Sequence, residues 1–135
     1  MRKLLFFTVP CLAMFVLGGL WNSVLMAKLF AAQAPMIARP PAEVRLGAIG
    51  LAYLILTAFM AFLFTQSFRK KPSSLAGFQF GSLFGVIMTL PVYLLLFAVW
   101  NVSPGALLVD ALWHGVEQGV GGILLAALLV PKVSD

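Results

Sequence analysis

Four apolar stretches of 20 or more residues divide the chain, at approximately 4–27, 44–68, 75–102 and 106–130. Each is long enough to cross a bilayer core of about 30 Å as an α-helix. This alternation predicts an all-α membrane protein in which residues 1–135 form a single four-helix transmembrane domain. The first stretch, at about 24 residues, exceeds the roughly 7–15 residues of a signal-peptide core, so we expect an uncleaved span.

The composition supports the membrane assignment. Of the 135 residues, 62% are hydrophobic and 10% are charged, whereas a soluble domain carries about 25% charged residues. The formal net charge of +5 comes mostly from lysine and arginine in the connections between spans. We therefore read the charge as a determinant of topology, and we expect contact with the lipid bilayer and no nucleic-acid partner.

The basic residues are distributed unequally between the two sides of the predicted bundle. Because cytoplasmic segments carry an excess of lysine and arginine, the richer side is predicted to face the cytoplasm, together with both termini. That side holds Arg2, Lys3, Arg69, Lys70, Lys71 and Lys132, and the other side holds Lys28, Arg39 and Arg45.

Two series of small residues predict close contact between helices. Glycines spaced by about one helical turn form a groove that lets two helix backbones approach each other. The pattern leaves open whether the contact joins helices of one subunit or of two subunits. The series are Gly77, Gly81 and Gly85 in span 3, and Gly115, Gly119 and Gly122 in span 4.

Three ionisable side chains lie within the fourth predicted span. Asp110, His114 and Glu117 stand at i, i+4 and i+7, so at about 100° per residue they share one helical face within roughly 60°. Ionisable groups in hydrocarbon are costly unless they face protein or a water-filled cavity. The triplet is therefore the predicted intramembrane polar site, and Glu117 is expected near the middle of the bilayer.

Polar residues of the other spans are predicted to complete this site. At a rise of about 1.5 Å per residue, their positions correspond in depth to members of the triplet. The result is a polar funnel that opens to the outer face and ends near the bilayer centre. The predicted neighbours are Asn22 beside Asp110, Tyr53 and Tyr93 beside His114, and Thr57 and Thr89 beside Glu117.

Three interpretations of the triplet remain open. In the first, the triplet is a proton or ion path, since carboxyl and imidazole groups exchange protons. In the second, it is a set of metal ligands, an interpretation that is weakened by the presence of a single histidine. In the third, the triplet is structural, with His114 paired to a carboxylate and Glu117 either protonated or hydrogen-bonded to Thr57 or Thr89. A nucleophile elbow, a phosphate loop and a metal-ligand repeat are absent from the sequence, so we predict no enzymatic activity, no metal and no cofactor.

Two short motifs carry a resemblance to a known group of proteins. Gly18-Gly19-Leu20-Trp21-Asn22-Ser23 ends span 1, and Val109-Asp110-Ala111-Leu112-Trp113-His114 opens span 4. In these motifs and in its layout the chain resembles a broad group of small bacterial membrane proteins, which are four-span domains of unknown function. The resemblance implies a multi-pass protein of the bacterial inner (plasma) membrane, and it implies no activity.

Taken together, these features predict an accessory or binding protein within the membrane, acting as a homodimer or with another membrane protein. The alternative is a small proton-coupled transporter or ion-permeation protein that uses Asp110, His114 and Glu117. The small multidrug transporters share the size and span count, but their key glutamate lies in the first span. Span 1 of this chain has no acidic residue.

Overall fold

The computed structural model describes residues 2–26, 41–99 and 101–129. Within these ranges the regular structure is entirely helical, which confirms the all-α prediction. A π-helical turn, Trp21–Leu25, extends the first helix, and a short 3-10 turn, Pro41–Glu43, precedes the second. The four long helices are α1, Arg2–Leu20; α2, Leu46–Ser67; α3, Ser74–Val99; and α4, Pro104–Leu128.

The helix boundaries differ in places from those predicted. α3 ends at Val99 rather than at residue 102, because the connection to α4 is extended at Ser103. A residue that precedes proline avoids the helical region, and Pro104 then occupies the first turn of α4, where its missing N–H costs nothing. The predicted span ends Ala27 and Val130, and the basic residues Lys28, Arg39 and Lys132, lie outside the described residues.

Three of the helices are long and apolar enough to cross a membrane, over Leu4–Val24, Leu46–Ser67 and Ser74–Val99. Large apolar side chains project from their outer surfaces, as lipid-facing positions require; Leu12 and Leu95 are two examples. The fourth helix, α4, has 25 residues but is less apolar. It is also the helix with the most buried residues, so its polar groups face protein.

α3 and α4 form an antiparallel hairpin in which the two backbones touch. A methyl group added at any of the three α3 glycines would collide with main-chain atoms of α4. The glycine series of span 3 therefore joins two helices of the same subunit, which answers the question that the sequence left open. The facing residues are Gly77 with Gly122, Gly81 with Gln118, and Gly85 with His114.

The small residues of α4 complete this contact from the other side. A Cβ added at Gly119 would meet the ring of Phe78 and the hydroxyl of Ser82, and one added at Gly115 would lie 3.3 Å from Val86. Because side chains of α3 fill the space left by missing side chains on α4, the two helices interlock along the hairpin.

α1 packs on another face of α4 and also contacts α2. Met14 lies over Gly121, and Gly18 lies beside Glu117, so α1 is antiparallel to α4. The ring of Phe15 meets that of Tyr53 edge to face, with 5.7 Å between the centroids. α4 is therefore enclosed by α1 and α3, and α2 closes the bundle against α1.

The apolar core lies in the half of the bundle near the α2–α3 connection. Aromatic pairs join α2 to α3 there: Phe59 with Phe84, at 5.9 Å between centroids, and Phe64 with Phe80, at 5.2 Å. The opposite half holds the polar residues of α4. The buried core consists of Met14, Met60, Ala61, Phe64, Phe84, Leu125 and Ala126.

Candidate functional site

Asp110 is held by donors from two other helices. The indole Nε1 of Trp21 donates to its Oδ1 at 2.6 Å, and the hydroxyl of Tyr93 donates to its Oδ2. The residue is only 7% exposed. A buried carboxylate is tolerated where hydrogen bonds satisfy its oxygens, and this one is satisfied by α1 and α3 together. Asp110 therefore ties three helices to one point.

His114 lies between the two acidic residues of its own helix. Its Nε2 is 3.8 Å from Oδ2 of Asp110, and its Nδ1 is 3.8 Å from Oε2 of Glu117. The ring of Tyr93 meets the imidazole edge to face, at 6.3 Å between centroids. With 24% of its side chain exposed, His114 is the most accessible member of the triplet.

Glu117 is completely buried, with 0% exposure. The amide of Gln118 donates to its Oε1 at 3.1 Å. Its Oε2 has no hydrogen-bond partner within the part of the chain that the structure describes. The same oxygen and the hydroxyl of Tyr53 both border Gly18, where an added Cβ would lie 3.0 Å from Oε2 and would overlap the hydroxyl. Gly18 thus leaves the space that these two polar groups occupy.

A stacked pair of tryptophans lies at the Asp110 end of the site. The indoles of Trp21 and Trp113 lie 4.4 Å apart between centroids, with 5° between their planes. Trp21 begins the π-helical turn that extends α1. Such turns widen the helix by one residue and often occur at functional sites, and here the turn carries the donor of Asp110.

The structure brings some of the predicted neighbours into the site and directs others elsewhere. Tyr53 borders Glu117 rather than His114. Asn22 donates to the carbonyl of Gly18 at 2.9 Å, and Thr57, which is fully buried, donates to the carbonyl of Tyr53 at 2.7 Å. Both bonds run one turn back along the donor's own helix, so neither side chain binds the triplet.

Thr89 lies half-buried on α3, and its hydroxyl forms no side-chain hydrogen bond with the described residues. The interpretation in which a threonine hydrogen-bonds Glu117 therefore does not describe this structure, since Gln118 is the donor instead. Gln118 follows Glu117 directly, and adjacent residues of a helix point in different directions.

Several residues of the site were not predicted from the sequence: Trp21, Trp113 and Gln118. A tryptophan near the end of an apolar span is typical of the interfacial aromatic belt, and this pattern alone predicts that Trp21 faces the bilayer interface. Instead it binds Asp110, which is 89 positions away in the chain. The sequence offered one signal for this contact: the indole donor Trp21 and the acid Asp110 lie at similar depths on two neighbouring antiparallel spans.

Beyond Glu117, in the direction of the α2–α3 connection, the polar groups give way to packed apolar side chains. Met14 and Met60 lie over Gly121, the next residue of α4 on the triplet's face. Both are completely buried, as are Phe64 and Leu125 farther along the bundle. The series of acidic and basic side chains on α4 therefore begins at Asp110 and ends at Glu117.

The geometry of the site defines what it can do chemically. Carboxyl, imidazole and phenol groups lie in series, and they can hold a proton, a small cation or a hydrogen-bonding ligand. Among the described residues, no group of three or more histidine, cysteine, aspartate and glutamate side chains is arranged to hold a metal ion.

Comparison of the chain with protein-family models, curated proteins and solved structures finds no match. The resemblance to small four-span bacterial membrane proteins therefore stays a prediction, and the function is argued from the site.

Proposed function

We propose that this chain is an integral membrane protein of accessory or binding type, whose polar site on α4 binds a ligand or partner rather than conducting ions. One observation carries the proposal: the acidic and basic side chains of α4 end at Glu117, and Met14 and Met60 pack over Gly121, the next residue of the same helical face. A conducting path needs polar groups or water on both sides of the bilayer centre. In this bundle the acidic and basic side chains of α4 lie between Asp110 and Glu117, all on one side of the contact that Met14 and Met60 make with Gly121.

The proposal includes four membrane spans, with α4 as the fourth. α3 is long and apolar enough to span the membrane. α4 lies antiparallel beside it, from the contact of Gly77 with Gly122 at one end to the hydrogen bond of Tyr93 with Asp110 at the other. At 1.5 Å per residue this shared stretch measures about 24 Å along α3 and about 18 Å along α4, compared with a hydrocarbon core of about 30 Å. Protein on several sides of α4 reduces the cost of its polar residues.

An even number of spans leaves both termini on one side, which we assign to the cytoplasm. The connection between α2 and α3 carries three exposed basic residues, Arg69, Lys70 and Lys71. Their side chains can contact the headgroups of the cytoplasmic leaflet. We place the protein in the bacterial inner membrane, on the resemblance to small four-span bacterial proteins.

A second function, proton-coupled transport or ion permeation, is favoured by a different observation. His114 has a ring nitrogen 3.8 Å from a carboxylate oxygen on each side. An imidazole in that position is suited to pass a proton between Asp110 and Glu117. This function requires Met14 and Met60 to move away from Gly121, so that a path beyond Glu117 opens.

Native mass spectrometry of the protein purified in gentle detergent tests the binding function. We expect a discrete complex, with a second copy, another membrane protein or a bound small molecule. A monomer that carries no specific partner or ligand would contradict the proposal. A complex that persists in the variant Glu117→Gln would place the contact outside the polar site.

A further inference from the structure

The site holds two carboxyl groups and one imidazole. Asp110 and Glu117 are both buried, and His114 is the one basic side chain within ion-pair distance of either, among residues whose side chains the structure describes. A buried charge is stable when it is paired or neutralised. If both carboxyl groups are ionised, one imidazole cannot neutralise them, and a bound cation would balance the second charge.

The site also contains hydrogen-bond acceptors that lack donors. Oε2 of Glu117 and Oε1 of Gln118 have no partner among the described residues, and these side chains are 0% and 1% exposed. The indole Nε1 of Trp113 is a buried donor that likewise has no partner among them. Buried polar atoms in proteins are nearly always hydrogen-bonded. Two orphaned acceptors on adjacent residues favour a ligand that supplies N–H or O–H donors.

Aromatic rings lie beside the triplet. The stacked indoles of Trp21 and Trp113 lie on one side of the triplet, and the Tyr93 ring lies against the imidazole of His114. The faces of tryptophan and tyrosine attract cations, and their edges accommodate apolar groups. His114, with 24% of its side chain exposed, marks the point of access.

We propose that the site takes a protonated primary amine with a short apolar substituent. The ammonium group supplies N–H donors for the two orphaned acceptors, and its positive charge would stabilise the ionised form of Glu117. The apolar substituent lies against the aromatic rings. This inference rests on the proposed binding function and names the chemical class of ligand.

The test uses the single histidine of the chain as a reporter. Protein labelled with ¹⁵N in histidine alone gives one pair of imidazole signals, which come from the centre of the site. The full chain, in an uncharged detergent, is titrated with n-hexylammonium and, separately, with hexanol and hexanoate, which have nearly the same size. We expect saturable shifts of the His114 signals with the ammonium and only small, non-saturating changes with the other two.

Two variants remove one carboxylate each. Glu117→Gln keeps the shape of the side chain and removes its charge, and we expect hexylammonium to bind at least about tenfold more weakly, as for loss of a charged hydrogen bond. Glu43→Gln removes the same charge from an exposed residue before α2, and it should bind like the wild type. If Glu117→Gln unfolds the protein, the amine proposal is tested by the comparison of hexylammonium, hexanol and hexanoate on the wild type.

The outcomes separate this inference from the proposed function. His114 signals that ignore hexylammonium, or that respond equally to hexanol, overturn the amine proposal. These results leave the binding function intact if native mass spectrometry finds a different specific ligand or partner. Equal binding by Glu117→Gln and the wild type also overturns the amine proposal.

Discussion

The indole of Trp21 donates a hydrogen bond of 2.6 Å to the carboxylate of Asp110, and this bond joins the end of the first helix to the start of the last. It forms at the π-helical turn, where the backbone N–H of Met26 reaches back to the carbonyl of Trp21. Asp110 also accepts from Tyr93. One carboxylate thereby fixes the relative positions of α1, α3 and α4 at the polar end of the bundle.

The variant Trp21→Phe should destabilise the protein. It keeps a ring that can stack on Trp113 but removes the donor, so a buried carboxylate oxygen loses its partner. We expect a loss of about 1–3 kcal/mol, as for other hydrogen bonds to charged groups. Thermal unfolding in detergent, followed by circular dichroism, measures the effect. Ser23→Ala is the control, since that hydroxyl is exposed and bonds only to a carbonyl of its own helix; equal melting of the two variants would contradict the role of Trp21.

The variant Gly81→Ala should separate α3 from α4. Its added methyl group would overlap the main chain of Gln118, which cannot rotate away as a side chain can. We expect destabilisation of about 1–3 kcal/mol from overpacking. Gly50→Ala is the matched control, because nothing lies within 4 Å of its added methyl group. If the two variants unfold at the same temperature, the backbone contact between α3 and α4 is not as described.

The adjacent glycines of α1 provide a test that reports on the site. In Gly18→Ala the new methyl group would displace the hydroxyl of Tyr53 and press on Oε2 of Glu117, whereas in Gly19→Ala it meets nothing within 4 Å. We expect the imidazole signals of His114 to shift in the first variant and to stay in place in the second. Identical spectra for both would show that Gly18 does not border the site.

The four-span topology can be tested by cysteine labelling in a background that lacks Cys11. We expect Lys70→Cys to react with a membrane-impermeant maleimide only from the cytoplasmic side, and Asn101→Cys only from the outer side. A reporter tag at the C-terminus should be cytoplasmic, since α4 then crosses back. A C-terminal tag on the same side as residue 101 would mean that α4 does not cross the membrane, and the proposed function would lose its fourth span.

The sequence predicts the helices well because hydropathy and length are local properties. Apolar stretches near 44–68 and 75–102 correspond to α2 and α3, and their ends shift by a few residues where Arg45 and Ser103 adopt other conformations. The glycine spacing likewise predicts close packing. It does not identify the neighbour, because a groove of small residues fits any helix that has a matching surface.

The sequence predicts the candidate site only in part, for a physical reason. The helical period brings Asp110, His114 and Glu117 to one face, and their contacts with one another follow from that period. The partners from other helices depend on rotation and register, which depth alone does not fix. Asn22 and Thr57 have the right depth, yet each satisfies its donor on its own helix, where a carbonyl is always within reach.

Proton flux into liposomes reconstituted with the purified protein tests most directly whether the site binds rather than conducts. We expect the wild type to show the same flux as protein-free liposomes under an imposed pH gradient and membrane potential, because Met14 and Met60 pack beyond Glu117. Glu117→Gln should give the same low value. A wild-type flux above that of empty liposomes, abolished in Glu117→Gln and retained in Glu43→Gln, would contradict the binding function and establish proton transport through the triplet.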